Sequence, residues 1–233
     1  MPIPSAIRAV FFDAVGTLIH PTPSAPEVYA HVAARFGLVL SAAEIRTRFL
    51  AAFRAEEAVD RAANWVTSEG REEARWRRIV AETLPGVRDA EACFRELYEH
   101  YARPDAWVVD PTAASVFAEL RSRGLILGLA SNYDHRLEAV VEGHAELRTL
   151  RPHVVISSRV GHRKPSPDFF AEVVGAVGMS PGEALLVGDD FENDYLGARA
   201  VGMGAVLLDP NNRNPEVGDR IRTLPELAQE MAH

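Results

Sequence analysis

The chain has 233 residues, 47% hydrophobic and 25% charged, the profile of a globular protein long enough for one domain or for a core carrying an insertion. Its 33 acidic residues outnumber the 25 basic ones for a net charge of −8, and no run of like charge stands out, which argues against a nucleic-acid footprint or a polybasic membrane anchor. No apolar run approaches the roughly 20 residues that cross a bilayer, the first is broken by Arg8, unlike a secretory signal, and the one cysteine, Cys93, has no partner for an internal disulfide; a cytoplasmic protein without membrane contact is expected.

Residues 7–12 are the first predicted strand, a largely apolar run bounded by Asp13 and Gly16. The stretch 21–105 differs: it has no comparable strand and shows helical periodicity almost throughout, as an all-helical insertion would. Residues 21–26 are a stiff, proline-rich connector, and Ser41-Ala-Ala-Glu44 is a capping box opening a helix on which Ile45, Phe49 and Phe53 recur every four residues. A second helix carries Trp76, Ile79 and Val80, and a third covers 90–101; these aromatics are expected to form the core of a bundle rather than a ligand cage.

Beyond the insertion, helices are predicted at 113–123, 167–177 and 195–201 and strands at 125–130, 153–157, 184–187 and 205–208, with a polar loop at 211–215. Strands and helices alternating at this spacing predict an α/β fold, a Rossmann-like parallel sheet with helices on both faces. Residues 1–20 and 106–233 would form this core, and 21–105 the inserted helical domain.

In an open parallel sheet the ligand site lies beyond the carboxyl ends of the strands. There the first strand delivers Asp13, Val15, Gly16 and Thr17, the next Ser131 and Asn132, and a later one the run from Gly188 through Asp189 to Asp194, while an intervening loop supplies Lys164. Carboxylates from two strands, a hydroxyl and an ammonium suit phosphoryl transfer: one carboxylate can attack phosphorus, others hold a hard cation such as magnesium, and the lysine and hydroxyl clamp phosphate oxygens. Taken singly, Ser131 and Asp194 read as ordinary capping residues. Lys164 does not: it is the only lysine, every other basic residue being arginine, and a compact ammonium at one place suits a fit between carboxylate and phosphate.

The segments F-F-D-A-V-G-T-L at 11–18, L-A-S-N at 129–132, K-P-S-P-D-F-F at 164–170 and V-G-D-D-F-E-N-D at 187–194 resemble, in order and separation, the four motifs of the haloacid dehalogenase-like hydrolase superfamily, with a helical cap after the first motif. Tyr29, Gly37 and the Trp76 helix are similar to the branch that includes haloacid dehalogenase-like hydrolase domain-containing protein three. The resemblance implies a hydrolase, a phosphatase acting on a small phosphorylated metabolite, with Asp13 as the nucleophile that becomes an aspartyl-phosphate. It implies Ser131 and Lys164 on the phosphoryl oxygens, Thr17 and Asn132 orienting the site and binding substrate, and Mg2+ held by Asp13, the Val15 carbonyl and Asp189, with Asp194 close by.

One position departs from that pattern. Family phosphatases carry a second aspartate two residues after the nucleophile, where it protonates the leaving group and then activates water; here it is Val15. The haloacid dehalogenases also lack it but lack the acidic fourth motif as well, and the phosphonoacetaldehyde hydrolases use a cap lysine that this chain does not have. A phosphatase slowed by Val15 is therefore the first expectation, and a phosphate- or metabolite-binding protein that keeps the fold is the alternative. His20 follows the first motif and reads as a solvated histidine.

Overall fold

The strand β1 (Ala9–Phe12) sends alternate side chains to opposite apolar layers: Val10 and Phe12 join one cluster, Ala9 and Phe11 the other, and all four are fully buried. In the computed structural model, which describes residues 6–230, this strand lies at the centre of a six-stranded sheet. The outermost residues of the predicted core, 1–5 and 231–233, lie outside the described residues.

After β1 the chain enters a short strand, β2 (Ile19–Pro21), which pairs antiparallel with β3 (Trp107–Val109). Between them lie four helices: α1 (Ala25–Arg35), α2 (Ala42–Ala62), α3 (Glu69–Thr83) and α4 (Ala90–His100). The capping box of α2 forms as expected, Ser41 N donating to Glu44 Oε2 at 2.9 Å and Glu44 N to Ser41 Oγ at 3.3 Å. Helix α1 already begins inside the stretch read as a connector, because proline at a helix's first positions lacks only an N–H that would have no partner there. The β2–β3 ribbon is likewise a departure: three-residue strands are too short to leave an alternation, and Pro21 speaks against a strand except at an edge.

The core continues through α5 (Ala113–Ser122), β4 (Ile126–Ser131), α6 (Arg136–Gly143), α7 (Ala145–Arg148), β5 (Val154–Ile156), α8 (Ser157–Val160), α9 (Pro167–Gly175) and β6 (Ala184–Gly188). It closes with α10 (Gly197–Ala200), β7 (Gly204–Leu208), β8 (Arg220–Ile221) and α11 (Leu224–Glu230). The sheet order is β5-β4-β1-β6-β7-β8 and every pairing is parallel. Helices α5, α6 and α11 cover one face; α9 and α10 cover the other. The expected α/β sheet with a helical insertion is the observed fold. The helix expected at 195–201 instead opens as a π-helical turn, Phe191–Leu196, because Asp190 accepts the N–H groups of Glu192 and Asn193 at 3.0 and 2.9 Å and starts the turn early. Among the described residues no helix is long and apolar enough to cross a membrane.

The four inserted helices have their own apolar core, with Val28, Tyr29, Val32, Ile45, Val80, Phe94 and Leu97. Phe49 and Trp76 pack only against its edge, so the expectation that they belong to the bundle interior is met in part. The insertion is bound to the core by Arg163, whose guanidinium pairs with Glu72 and lies 3.6 Å from Asp60, and by backbone bonds from Arg163 N to Trp65 O (2.9 Å) and Thr67 N to Gly161 O (2.8 Å). Arg163 directly precedes Lys164, so the loop that carries the lysine is anchored on the helices opposite the sheet.

Candidate active site

Asp13 stands one residue past β1, Ser131 ends β4, and Asp189 follows β6, so three neighbouring strands aim their carboxyl ends at one place. Lys164 joins them from the loop before α9. The residue is 2% exposed, and its ammonium donates to Asp13 Oδ1 at 2.6 Å, Asp194 Oδ1 at 2.6 Å and the Ala130 carbonyl at 2.9 Å. All three of its donors are therefore used. Burial alone would press its pKa down, but Asp13 and Asp194 more than offset this and hold it above the ordinary lysine range.

Ser131 Oγ donates to the same Asp13 oxygen at 3.2 Å, leaving Asp13 Oδ2 with no bond from either group. Asn132 clamps the backbone of Lys164 from both sides, accepting from its N–H at 2.7 Å and donating to its carbonyl at 3.0 Å. Thr17, fully buried, donates to Asp189 Oδ1 at 3.2 Å. It does not line the cavity; its hydroxyl orients the Asp189 carboxylate. Asp194 accepts from Lys164 on one oxygen and from the Asp190 N–H on the other, at 3.1 Å, so both its oxygens are committed to protein donors.

Asp13, Asp189 and Asp194 each offer an oxygen within 4.8 Å of the others, three carboxylates against one ammonium. Asp189 opens to solvent through the cavity, yet the protein around it displaces most water; that loss, followed by the charges of Asp13 and Asp194, raises its pKa above the ordinary aspartate range. Such an excess of hard anionic oxygen suits a divalent cation. Glycine is required at two contacts in this cluster. A Cβ on Gly188 would lie 2.1 Å from Asp194 Oδ2, and one on Gly16, whose φ is +96°, would lie 2.4 Å from Asp189 Oδ2. Gly16→Ala is expected to cost about 1–3 kcal/mol from the positive φ and to push Asp189 aside, read as a lower melting temperature together with weaker Mg2+ binding in a titration.

These groups open onto a cavity of about 340 Å³ between sheet and inserted helices. Asp13, Val15, Ser131, Asn132, Lys164, Asp189 and Asp194 line it, as the sequence suggested. His20 does not; it is exposed on β2 opposite Val108. Phe49, Phe53 and Trp76 do line it, which corrects their reading as bundle core only: side chains at the end of a helix stripe can serve a packed core and a pocket at once. Arg75, Tyr101 and Arg136 were not anticipated. The available signal was charge on an apolar face, since Glu56 and Asp60 fall at successive seven- and four-residue steps after Phe49, and Glu72, Arg75 and Ile79 share a face of α3.

A parallel sheet with a helical insertion over its carboxyl edge, and a lysine-bridged carboxylate cluster in the cleft between them, defines a capped α/β protein of the hydrolase class. The chain belongs to the haloacid dehalogenase-like hydrolase family, whose model matches residues 7–202. It is 34% identical over 232 residues to haloacid dehalogenase-like hydrolase domain-containing protein 3 of Homo sapiens, covering 95% of this chain and 91% of the relative. It is 35% identical over 148 residues to a phosphoserine phosphatase of Thermus thermophilus, 62% of this chain and 59% of that one. Among solved structures a HAD phosphatase from Thermococcus onnurineus superposes with a TM-score of 0.70 at 27% identity, over 97% of this chain and 98% of the other.

Proposed function

We propose that this hydrolase is a Mg2+-dependent phosphatase of small phosphorylated metabolites, with Asp13 as the attacking carboxylate. The observation that carries the reading is the pair of hydrogen bonds that the Lys164 ammonium donates to Asp13 and Asp194 at the floor of a substrate-sized cavity. Lys164 and Ser131 both engage Oδ1, which leaves Oδ2 of Asp13 to attack phosphorus. Asp13, the Val15 carbonyl and Asp189 would hold the metal, which when bound supplies positive charge against the phosphoryl oxygens. Asp194, with both oxygens committed, holds Lys164 and would stand near the metal without needing to ligate it. The inserted helices act as the cap, covering residues 21–105, and exclude bulk water. The leaving-group proton comes from the cap, where Glu57 is the cavity-lining carboxylate, from the substrate, or from water. A cytoplasmic location accords with Cys93 being free and buried.

The test is Mg2+-dependent release of phosphate from an aryl phosphate. Asp189→Asn, which keeps the shape and removes the charge, is expected to raise the Mg2+ dissociation constant at least about tenfold, the equivalent of about 1.4 kcal/mol. Wild-type metal affinity in that variant removes Asp189 from the site, and no phosphate release by the wild-type protein across a broad ester panel removes the phosphatase reading.

A further inference from the structure

The cap side of the cavity is a wall of rings. Tyr29 and Phe49 meet edge-on at 5.6 Å between centroids, Phe49 and Phe53 stack at 6.0 Å, and Phe53 and Trp76 lie at 6.4 Å. Such a wall suits an aromatic or similarly flat apolar body. Two polar atoms interrupt it. Arg75 is 1% exposed; its Nε donates to Asp60 Oδ2 at 2.9 Å and its guanidinium lies 4.4 Å over the Phe53 ring, yet Nη2 has no hydrogen-bond partner. The Tyr101 hydroxyl, also buried, has none either.

Unmet buried donors are costly unless a ligand meets them. The other arginines that line the cavity differ in this respect, while Arg71, whose Nη1 also lacks a partner, does not line it. Arg136 closes both ways on Asp134, at 2.8 and 2.8 Å, and gives its remaining nitrogen to the Tyr98 carbonyl at 3.0 Å; Arg163 is engaged with Glu72. Arg75 belongs to a cluster in which four guanidinium groups, those of Arg71, Arg75, Arg78 and Arg163, face three carboxylates, Glu56, Asp60 and Glu72. One further negative charge would balance that cluster.

We propose that the substrate is a phosphate monoester with an aromatic or flat apolar body and a carboxylate, the carboxylate being received by Arg75 Nη2 and the Tyr101 hydroxyl. The proposal rests on the phosphatase reading, since it assigns the phosphate end to Asp13. Burial, then the neighbouring Arg163, holds the Arg75 pKa below the usual arginine range, and an anion beside it would favour the charged guanidinium.

The probes are 4-(phosphonomethyl)benzoate and its carboxamide, which cannot be hydrolysed, and the corresponding carboxyphenyl and carbamoylphenyl phosphates. Calorimetry with Mg2+ present is expected to give the wild type about tenfold or more tighter binding of the carboxylate, as a charge-assisted bond supplies. Tyr101→Phe removes a hydroxyl that bonds nothing, so it should melt at or above the wild-type temperature while losing part of that preference. Arg75→Lys keeps the charge but loses the planar fork, and should lose most of it. Equal affinities in the wild type, no binding of either phosphonate, or a preference untouched in both variants overturns the proposal. A carboxylate preference without turnover of any ester supports this subsite and overturns the phosphatase reading; turnover without the preference does the reverse.

Discussion

Lys164→Arg is expected to lower kcat/KM for phosphate esters by about 10²- to 10³-fold, the loss typical when one preorganised charged donor is removed from a reacting centre. Arginine keeps the charge, so the effect isolates geometry. The ammonium is a single point that meets two carboxylate oxygens at 2.6 Å and a carbonyl at 2.9 Å in a site 2% exposed, and a planar guanidinium cannot converge on all three. It must also find room, and overpacking a buried site costs about 1–3 kcal/mol. Lys164→Met is the less informative substitution: it would leave Asp13 and Asp194 facing each other without a cation, and breaking a buried pair costs about 3–5 kcal/mol, enough to confuse loss of function with loss of fold. Aryl phosphate kinetics and vanadate binding on the arginine variant, with a melting curve, decide the matter. Undiminished turnover would mean that the single lysine is an accident of an arginine-rich composition.

The catalytic edge was legible because it depends on chain order and strand ends. Once residues 7–12, 125–130 and 184–187 read as parallel strands, Asp13, Ser131 and Asp189 had to meet, whatever the details of packing. Lys164 was legible for a different reason, its uniqueness. The individual roles were less so. The resemblance counts Thr17 among the substrate-binding residues, and its hydroxyl turns to Asp189; Asp194, a capping residue when taken singly and a neighbour of the metal by the resemblance, bonds the lysine. The cap wall was hardest. Phe49 and Phe53 lie on the same helical stripe as Ile45, and periodicity cannot distinguish a stripe that ends in a bundle core from one that ends at a cavity. That distinction is made by packing between α2 and α3, elements joined by no pattern a single sequence displays.

Val15→Asp is expected to raise turnover on an alkyl phosphate, by at most about 10²- to 10⁴-fold, the span of general acid-base help. An alkoxide leaving group needs a proton and an aryloxide needs little, so the wild type should favour aryl esters and the variant should narrow the gap. Val15 is 37% exposed and lines the cavity, so a carboxylate there would meet water and not an apolar interior. The fold should therefore survive with a change near 0.5 kcal/mol, about the range of ordinary surface substitutions, and melting curves check it. The backbone of this turn is set by other atoms: Gly16 N donates to the Ile19 carbonyl at 3.0 Å and Leu18 N to the Ala14 carbonyl at 2.8 Å, so a new side chain at 15 leaves the carbonyl proposed for the metal in place. Hydrolysis of the acyl-phosphate needs a base as well. A wild-type enzyme without one should show a burst of released phenol on rapid mixing with an aryl phosphate, followed by slow turnover, and the variant should shorten the slow phase. A folded Val15→Asp protein that turns over neither ester, beside a wild type that shows neither burst nor turnover, would leave a protein that binds phosphorylated metabolites on an intact hydrolase fold.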